Sequence, residues 1–318
     1  MKRSNIYSLR CVECSASVWD FRETEVNLLE VRVGELHCHN CGCSYTILGG
    51  IADFRKRTPD SVTKEIISSE GTGKYIYSKL PEYYNDDILL NEPELPAGHP
   101  SFVSGERKAD LFHQVFSLFP SGQGCTLVDL AAGTGWSTRY FAKKGYNAFA
   151  VDIVQGMYRG LSSADVFFAY EGIYFERVLG LMEDLPFVDH SIDCVFSINS
   201  FHHTEDLVSV FAEVSRILKP GGFGFIVEDV VGCLMLKQKK RNALYQREKH
   251  QHMDHVYTLR DYTHAIQAAG LCLELVFPDR VRRRFGKLAV MPNTTLQWLY
   301  LITARMWFAP MIFRISYV

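Results

Sequence analysis

No apolar run in this chain approaches the roughly 20 residues that crossing a bilayer requires, so no transmembrane helix is expected. The opening Met1-Lys-Arg-Ser-Asn-Ile-Tyr-Ser-Leu-Arg10 lacks the apolar core of a secretory signal, which predicts a cytoplasmic setting where thiols stay reduced. An excess of one charge is also missing. Lys+Arg number 34 and Asp+Glu 36, a net charge of −2, so no global field recruits nucleic acid. There is no internal repeat, which excludes solenoid architectures. What is present is a chain of 318 residues, 47% hydrophobic, with room for one full α/β domain and additional elements.

The stretch Leu127-Val-Asp-Leu-Ala-Ala-Gly-Thr-Gly-Trp-Ser-Thr138 reads as a buried strand turning through glycines into a helix. Gly133 and Gly135 permit positive φ and a close ligand, and a helix opening near Trp136 aims free N–H groups at it. A second apolar strand, Ala148 to Asp152, ends in an acid 23 residues after Asp129, where a carboxylate can meet both ribose hydroxyls. The third glycine of a dinucleotide fingerprint is absent, since position 138 is Thr, and this disfavours NAD or FAD. Taken singly, Asp129 could cap the turn and Asp152 could be a solvated strand-end acid.

Downstream lie Leu185-Pro-Phe-Val-Asp-His-Ser-Ile-Asp-Cys-Val-Phe196, then His202-His203, then Val214-Ser-Arg-Ile-Leu-Lys-Pro-Gly-Gly222. In this order, over roughly Leu111 to Phe277, the chain resembles the class I S-adenosylmethionine (SAM) dependent methyltransferases. The resemblance implies an α/β fold with a Rossmann-like seven-stranded sheet. It implies that Asp129, Ala131, Gly133 and Gly135 cradle the methionine part of SAM and that Asp152 holds the ribose. It also places Gly180 to Asp184, with Met182 and Glu183, beside the adenine, and Asn199 completes the expected cofactor set. Two positions depart from the family pattern. Ala131 replaces a glycine, and Leu181 stands where an acid usually meets the adenine amino group.

The other strong feature is Cys11-Val-Glu-Cys14, 23 intervening residues, then Cys38-His-Asn-Cys41. Two such knuckles can present four thiolates to a tetrahedral zinc ion, and a site so closed serves structure rather than catalysis. Cys11, Cys14, Cys38 and Cys41 are the expected ligands, with Cys43, His37 or His39 able to substitute. The segment Tyr45 to Phe54 resembles the end of small zinc ribbons that precede some methyltransferase domains. The expected organisation is therefore a β zinc ribbon over 1–55, a linker or lid over 56–105, the methyltransferase domain over 106–285, and an apolar aromatic tail over 286–318.

The linker holds Pro59, Pro81, Pro93, Pro96 and Pro100 and shows no clear period; Tyr75, Tyr77, Tyr83 and Tyr84 could face the site. Two basic runs, Lys237 to Lys249 and Arg280 to Lys287, are either solvated faces or anion sites for phosphate, RNA or lipid head groups. The tail, Leu296 to Phe313, could lie at a membrane interface, with tryptophans at head-group level, or pack on the domain or a second subunit.

An activated methyl group needs in-line alignment, and a hydroxyl acceptor also needs a base. Candidates sit at the carboxyl ends of strands: His203 and Asn199 after one, Glu228 and Asp229 after the next. His255, in Asp254-His-Val-Tyr257, belongs to a segment resembling one in methyltransferases of surface-glycan and natural-product pathways. His255, His203 and Asp229 are the expected catalytic residues; His252, Asp254 and His255 could instead hold a metal. The favoured acceptor is a hydroxyl on a sugar, a lipid-linked glycan or another small metabolite. N-methylation of RNA, or a noncatalytic partner subunit of the same fold, are the alternatives.

Overall fold

Strands buried along nearly their whole length are covered on both faces, and four such strands, over 126–130, 147–152, 176–179 and 192–198, form the middle of this molecule. A computed structural model describes residues 1–28, 30–56, 58–99, 102–250, 254–279 and 293–318. Its strands are β1 Trp19–Val26, β2 Val31–Cys38, β3 Ser44–Leu48, β4 Ile51–Asp53, β5 Thr126–Leu130, β6 Asn147–Asp152, β7 Glu176–Leu179, β8 Ile192–Ile198, β9 Leu218–Val231, β10 Cys272–Val276 and β11 Phe308–Ser316. Its helices are α1 Asp60–Lys79, α2 Asp86–Asn91, α3 Phe102–Leu118, α4 Trp136–Lys143, α5 Ala164–Glu171, α6 Leu207–Ile217, α7 Cys233–His250, α8 Leu259–Ala268 and a closing helix Asn293–Met306. All eleven strands form one sheet in the order β1-β2-β3-β4-β7-β6-β5-β8-β9-β11-β10. The run β4 to β9 is parallel, and β11 is antiparallel to both its neighbours. Two apolar cores lie on the faces, one around Phe149, Phe187 and Ile226, the other around Phe112, Phe141 and Phe196.

The order β7-β6-β5-β8-β9-β11-β10 is the seven-stranded sheet expected from the resemblance, but its last strand lies beyond residue 285. The apolar tail supplies that strand: Met311, Ile312, Phe313 and Ile315 are buried between β9 and β10. Pro310, opposite Asp229, is tolerated because β10 pairs only with Ile312 to Ser316, so that β11 is an edge at Pro310. Trp298, Leu299 and Trp307 remain exposed. Among the described residues no helix is long and apolar enough to cross a membrane.

The segment 56–105 is largely helical. Gly71, Gly73 and scattered serines blur the period of α1, and Asn85 caps α2 by accepting from the Ile88 N–H at 3.0 Å. The buried Arg139 of α4 donates to the carbonyls of Leu90 and Glu92 at 2.8 and 2.7 Å, fastening this leader to the domain.

The ribbon is continuous with the sheet. β4 pairs in parallel with β7, Ile51 opposite Arg177. Arg177, with no exposure, donates to Glu30 at 2.9 Å, Asp165 at 2.8 Å and the Gly49 carbonyl at 2.8 Å. Leu9 bridges Phe187, so the Leu185-Pro-Phe187 segment forms the ledge on which the ribbon rests.

Candidate active site and cysteine cluster

The carboxyl ends of β5, β6, β7 and β8 open onto one cleft. It is lined by Ala131, Gly133, Asp152, Met182, Glu183, Asn199 and His203, and from the leader by Val62, Glu65 and Ser69 of α1. Five of the six cofactor residues on it that the sequence singles out lie on turns that follow strands, where the backbone is free to bend. Ala131, Gly133 and Asn199 all have positive φ, between 51° and 58°. A Cβ on Gly133 would meet nothing within 4 Å, so the loop presents bare backbone to the cleft.

Asp152 works on this loop directly. Its Oδ2 accepts from the Gly133 N–H at 2.7 Å and its Oδ1 from the Val154 N–H at 2.8 Å. Burial pushes its carboxyl above the usual range. Each oxygen keeps a further lone pair, so the carboxylate can hold the loop and still accept from a ribose diol. Glu183 accepts from the Thr204 hydroxyl, and Leu181 lines the cleft beside it.

Asp129 and Gly135 stand behind this surface rather than on it. Asp129 is 1% exposed and accepts from the hydroxyls of Ser137 and Thr138, both at 2.6 Å. Burial pushes its carboxyl up to about 7, against the pull of those two donors. Gly135, at φ 78°, lets α4 start; a Cβ there would meet the Phe175 ring at 2.7 Å. Both positions shape the loop from below.

The three expected catalytic residues do not share one cleft. His203 faces the cofactor cleft, whereas His255 and Asp229 line a neighbouring one with His202, Asp254 and Tyr257. Asp229 pairs with Arg107 at 2.5 Å, and burial raises its pKa. The His255 N–H donates to the His202 carbonyl at 2.7 Å, and its ring stacks on Tyr257. Glu228, 1% exposed, accepts from the N–H groups of Ser200 and Phe201 and from His202 Nδ1 at 3.0 Å. Burial works against charge on His202, but Glu228 foremost, with Asp254 and Asp229, pushes its pKa up to about 9.

A third cleft meets the first at Asn199. Tyr83, Tyr84, Glu92, His99, Lys108 and Tyr158 line it. Of these only the tyrosines at 83 and 84 stand out in the sequence; His99, Glu92 and Lys108 come from a proline-rich stretch and a helix with no motif to mark them. Tyr75 is 65% exposed and lines none of these three clefts. His252, Arg280 to Arg284 and Lys287 lie outside the described residues, as do the side chains of Tyr77, Arg247 and Lys249.

In the ribbon, Cys11, Cys14, Cys38 and Cys41 bring their sulfurs within 4.8 Å of one another. Each pair sits on a tight turn: Ser15 N–H donates to the Cys11 carbonyl at 2.8 Å, and Gly42 N–H to the Cys38 carbonyl at 2.9 Å. Both ring nitrogens of His37 are engaged, with Glu35 and Ser44 at 2.7 Å, and Cys43 stands outside the cluster. Four converging thiols are the donor set a tetrahedral zinc ion takes.

Comparison with known proteins agrees with this geometry. Residues 128–226 match the family described as methyltransferase domain. The malonyl-[acyl-carrier protein] O-methyltransferase of Pectobacterium atrosepticum is 31% identical over 145 residues, 45% of this chain and 53% of that protein. The sarcosine/dimethylglycine N-methyltransferase of Halorhodospira halochloris is 31% identical over 137 residues, 42% of this chain and 46% of that protein. The chain thus spans about half the length of these curated relatives. The crystal structure of geranyl diphosphate C-methyltransferase from Streptomyces coelicolor superposes with a TM-score of 0.56, covering 82% of this chain and 99% of that one at 15% identity, a likeness of fold. The sheet order, the glycine loop closed by Asp152 and the match over residues 128–226 together mark a methyltransferase domain of the class I SAM-dependent type within the chain.

Proposed function

We propose that the chain transfers the SAM methyl group to a hydroxyl of a sugar, a lipid-linked glycan or another small metabolite, and that its four clustered thiolates hold a structural zinc ion. The observation that carries the acceptor reading is Asn199, which lines both the cofactor cleft and the cleft of Tyr83, Tyr84, His99 and Lys108. A small polar molecule in the second cleft would reach the first across that residue. Tyrosine, lysine and imidazole groups on its walls suit hydroxyl recognition.

When bound, SAM supplies a methyl on a sulfonium, which keeps the electron pair of the broken C–S bond as the new C–O bond forms. The protein aligns the acceptor and receives its proton. His99 lines the acceptor cleft, 7% exposed; its Nε2 donates to the Tyr83 carbonyl at 3.2 Å, so Nδ1 is the nitrogen that would take the proton. Relatives acting on oxygen, nitrogen and carbon share this fold, so the fold does not choose the acceptor.

The test is transfer of labelled methyl from SAM into fractionated small molecules, glycolipids and RNA. Label in a base-stable methyl ether of a small polar acceptor supports the reading. Label confined to RNA, lost steeply with added salt, would overturn it in favour of RNA methylation. SAM binding without any transfer would favour a noncatalytic partner.

A further inference from the structure

We propose that His202, His203 and Asp254 form a second metal site, separate from the cysteine cluster, that takes a divalent cation of the zinc class. One ligand atom from each of the three lies within 4.8 Å of the others. Metal bonds of about 2.0–2.2 Å at tetrahedral angles put neighbouring donors about 3.3–3.6 Å apart. His203 Nδ1 stands 3.5 Å from Asp254 Oδ1.

Two further observations point at a cation rather than a set of ordinary hydrogen bonds. His203 Nδ1 is shut off from solvent and makes no hydrogen bond, although Asp254 and, at 3.3 Å, Glu65 face it. A nitrogen set between two carboxylates at 3.3 and 3.5 Å, in hydrogen-bond geometry to neither, matches the spacing of donors around a shared cation. His202, for its part, is held through Nδ1 by the buried Glu228 at 3.0 Å. A carboxylate that fixes the ring and leaves the other nitrogen free is the usual second partner of a metal-bound histidine. The carboxylates of Glu65, Asp254, Glu228 and Asp229 surround the two imidazoles, so the spot favours positive charge.

The ligands come from the turn after β8 and from the segment before α8, so a cation would tie the two across the rim of the cofactor cleft. Two imidazoles and one carboxylate leave a coordination position for water or an oxygen ligand. The donor set excludes magnesium and calcium as the preferred ions, since both select oxygen ligands. This proposal does not depend on the acceptor assigned above.

The full chain is dialysed against zinc, freed of excess and analysed for metal, then compared with His203→Gln and Asp254→Asn. The wild type should hold about two zinc ions per chain and each variant about one. Cobalt substitution separates the sites. The cysteine cluster gives intense thiolate charge-transfer absorption that neither variant alters, whereas the second ion adds only visible bands that both variants lose. Unchanged SAM affinity and circular dichroism in Asp254→Asn, a partly exposed position, show that the fold persists. A wild type without any cobalt bands beyond those of the thiolate site, or a second equivalent that survives both substitutions, would overturn the proposal.

Discussion

Asp129 and Asp152, one strand apart, carry the residue-scale argument because their carboxylates do different work. Asp129 holds a proton in the folded protein that an unfolded chain releases at the ordinary value near 3.9. The native state therefore binds more protons between about pH 4 and 7, and stability falls as pH rises through that window, then levels off. Asp129→Asn keeps a hydrogen-bonding group for Ser137 and Thr138 while removing the titration. Its stability curve should be flatter than the wild type's across that window, by roughly 4 kcal/mol at the largest; denaturant unfolding at several pH values measures this. Asp152→Ala should weaken SAM binding by about 2–4 kcal/mol, through loss of charge-assisted bonds to the ribose and of the Gly133 anchor. Unchanged affinity in a folded variant, by calorimetric titration, would remove Asp152 from the site. Both acids are legible in the sequence because a strand, a glycine turn and a strand-end acid recur at fixed spacing. That Asp129 lies behind the loop is not legible, since its hydroxyl partners sit eight and nine residues on, in a helix whose direction only the fold sets.

Among the elements, the glycine loop and the ribbon are those whose failure is easiest to provoke. Gly135→Ala would force a methyl group against the buried Phe175 ring at a positive φ, and should destabilise the domain by about 1–3 kcal/mol. The ribbon should depend on the proposed zinc ion for folding. Cys38→Ser, or chelation, should release bound zinc and unfold the first 55 or so residues. Because β4 is hydrogen-bonded to β7, hydrogen exchange should also quicken at Arg177 and Val178. Protection there that is indifferent to the metal would contradict the coupling. The knuckles were legible because thiol spacing is specific. The fusion of ribbon to sheet was not, as it rests on the backbone of three residues, Ile51 to Asp53, and on Arg177 meeting acids far away in sequence. The closing strand was hidden for a related reason: Arg305 and Pro310 break the apolar run that would have marked it, and its burial comes from β9 and β10 on either side.

At the scale of the whole molecule, the leader, the ribbon and the tail are all built onto one sheet, and the clefts lie where its parallel strands end. The cofactor cleft is assembled from the matched domain and from α1, and the cleft proposed for the acceptor mostly from the leader. Sequence motifs reveal the first because binding a common cofactor constrains spacing; they are silent on the second because acceptor walls are set by irregular segments particular to each protein. His99→Gln should therefore lower turnover by tenfold or more with SAM affinity unchanged, whereas His255→Ala, on the far cleft, should leave the chemical step less affected. The measurement that bears most directly on the whole account is calorimetric titration of the full chain with SAM and its demethylated product, followed by transfer of labelled methyl to a small polar acceptor. The account predicts saturable binding of both, abolished or weakened by Asp152→Ala, and label in a hydroxyl-bearing small molecule. A folded chain that binds neither would contradict it.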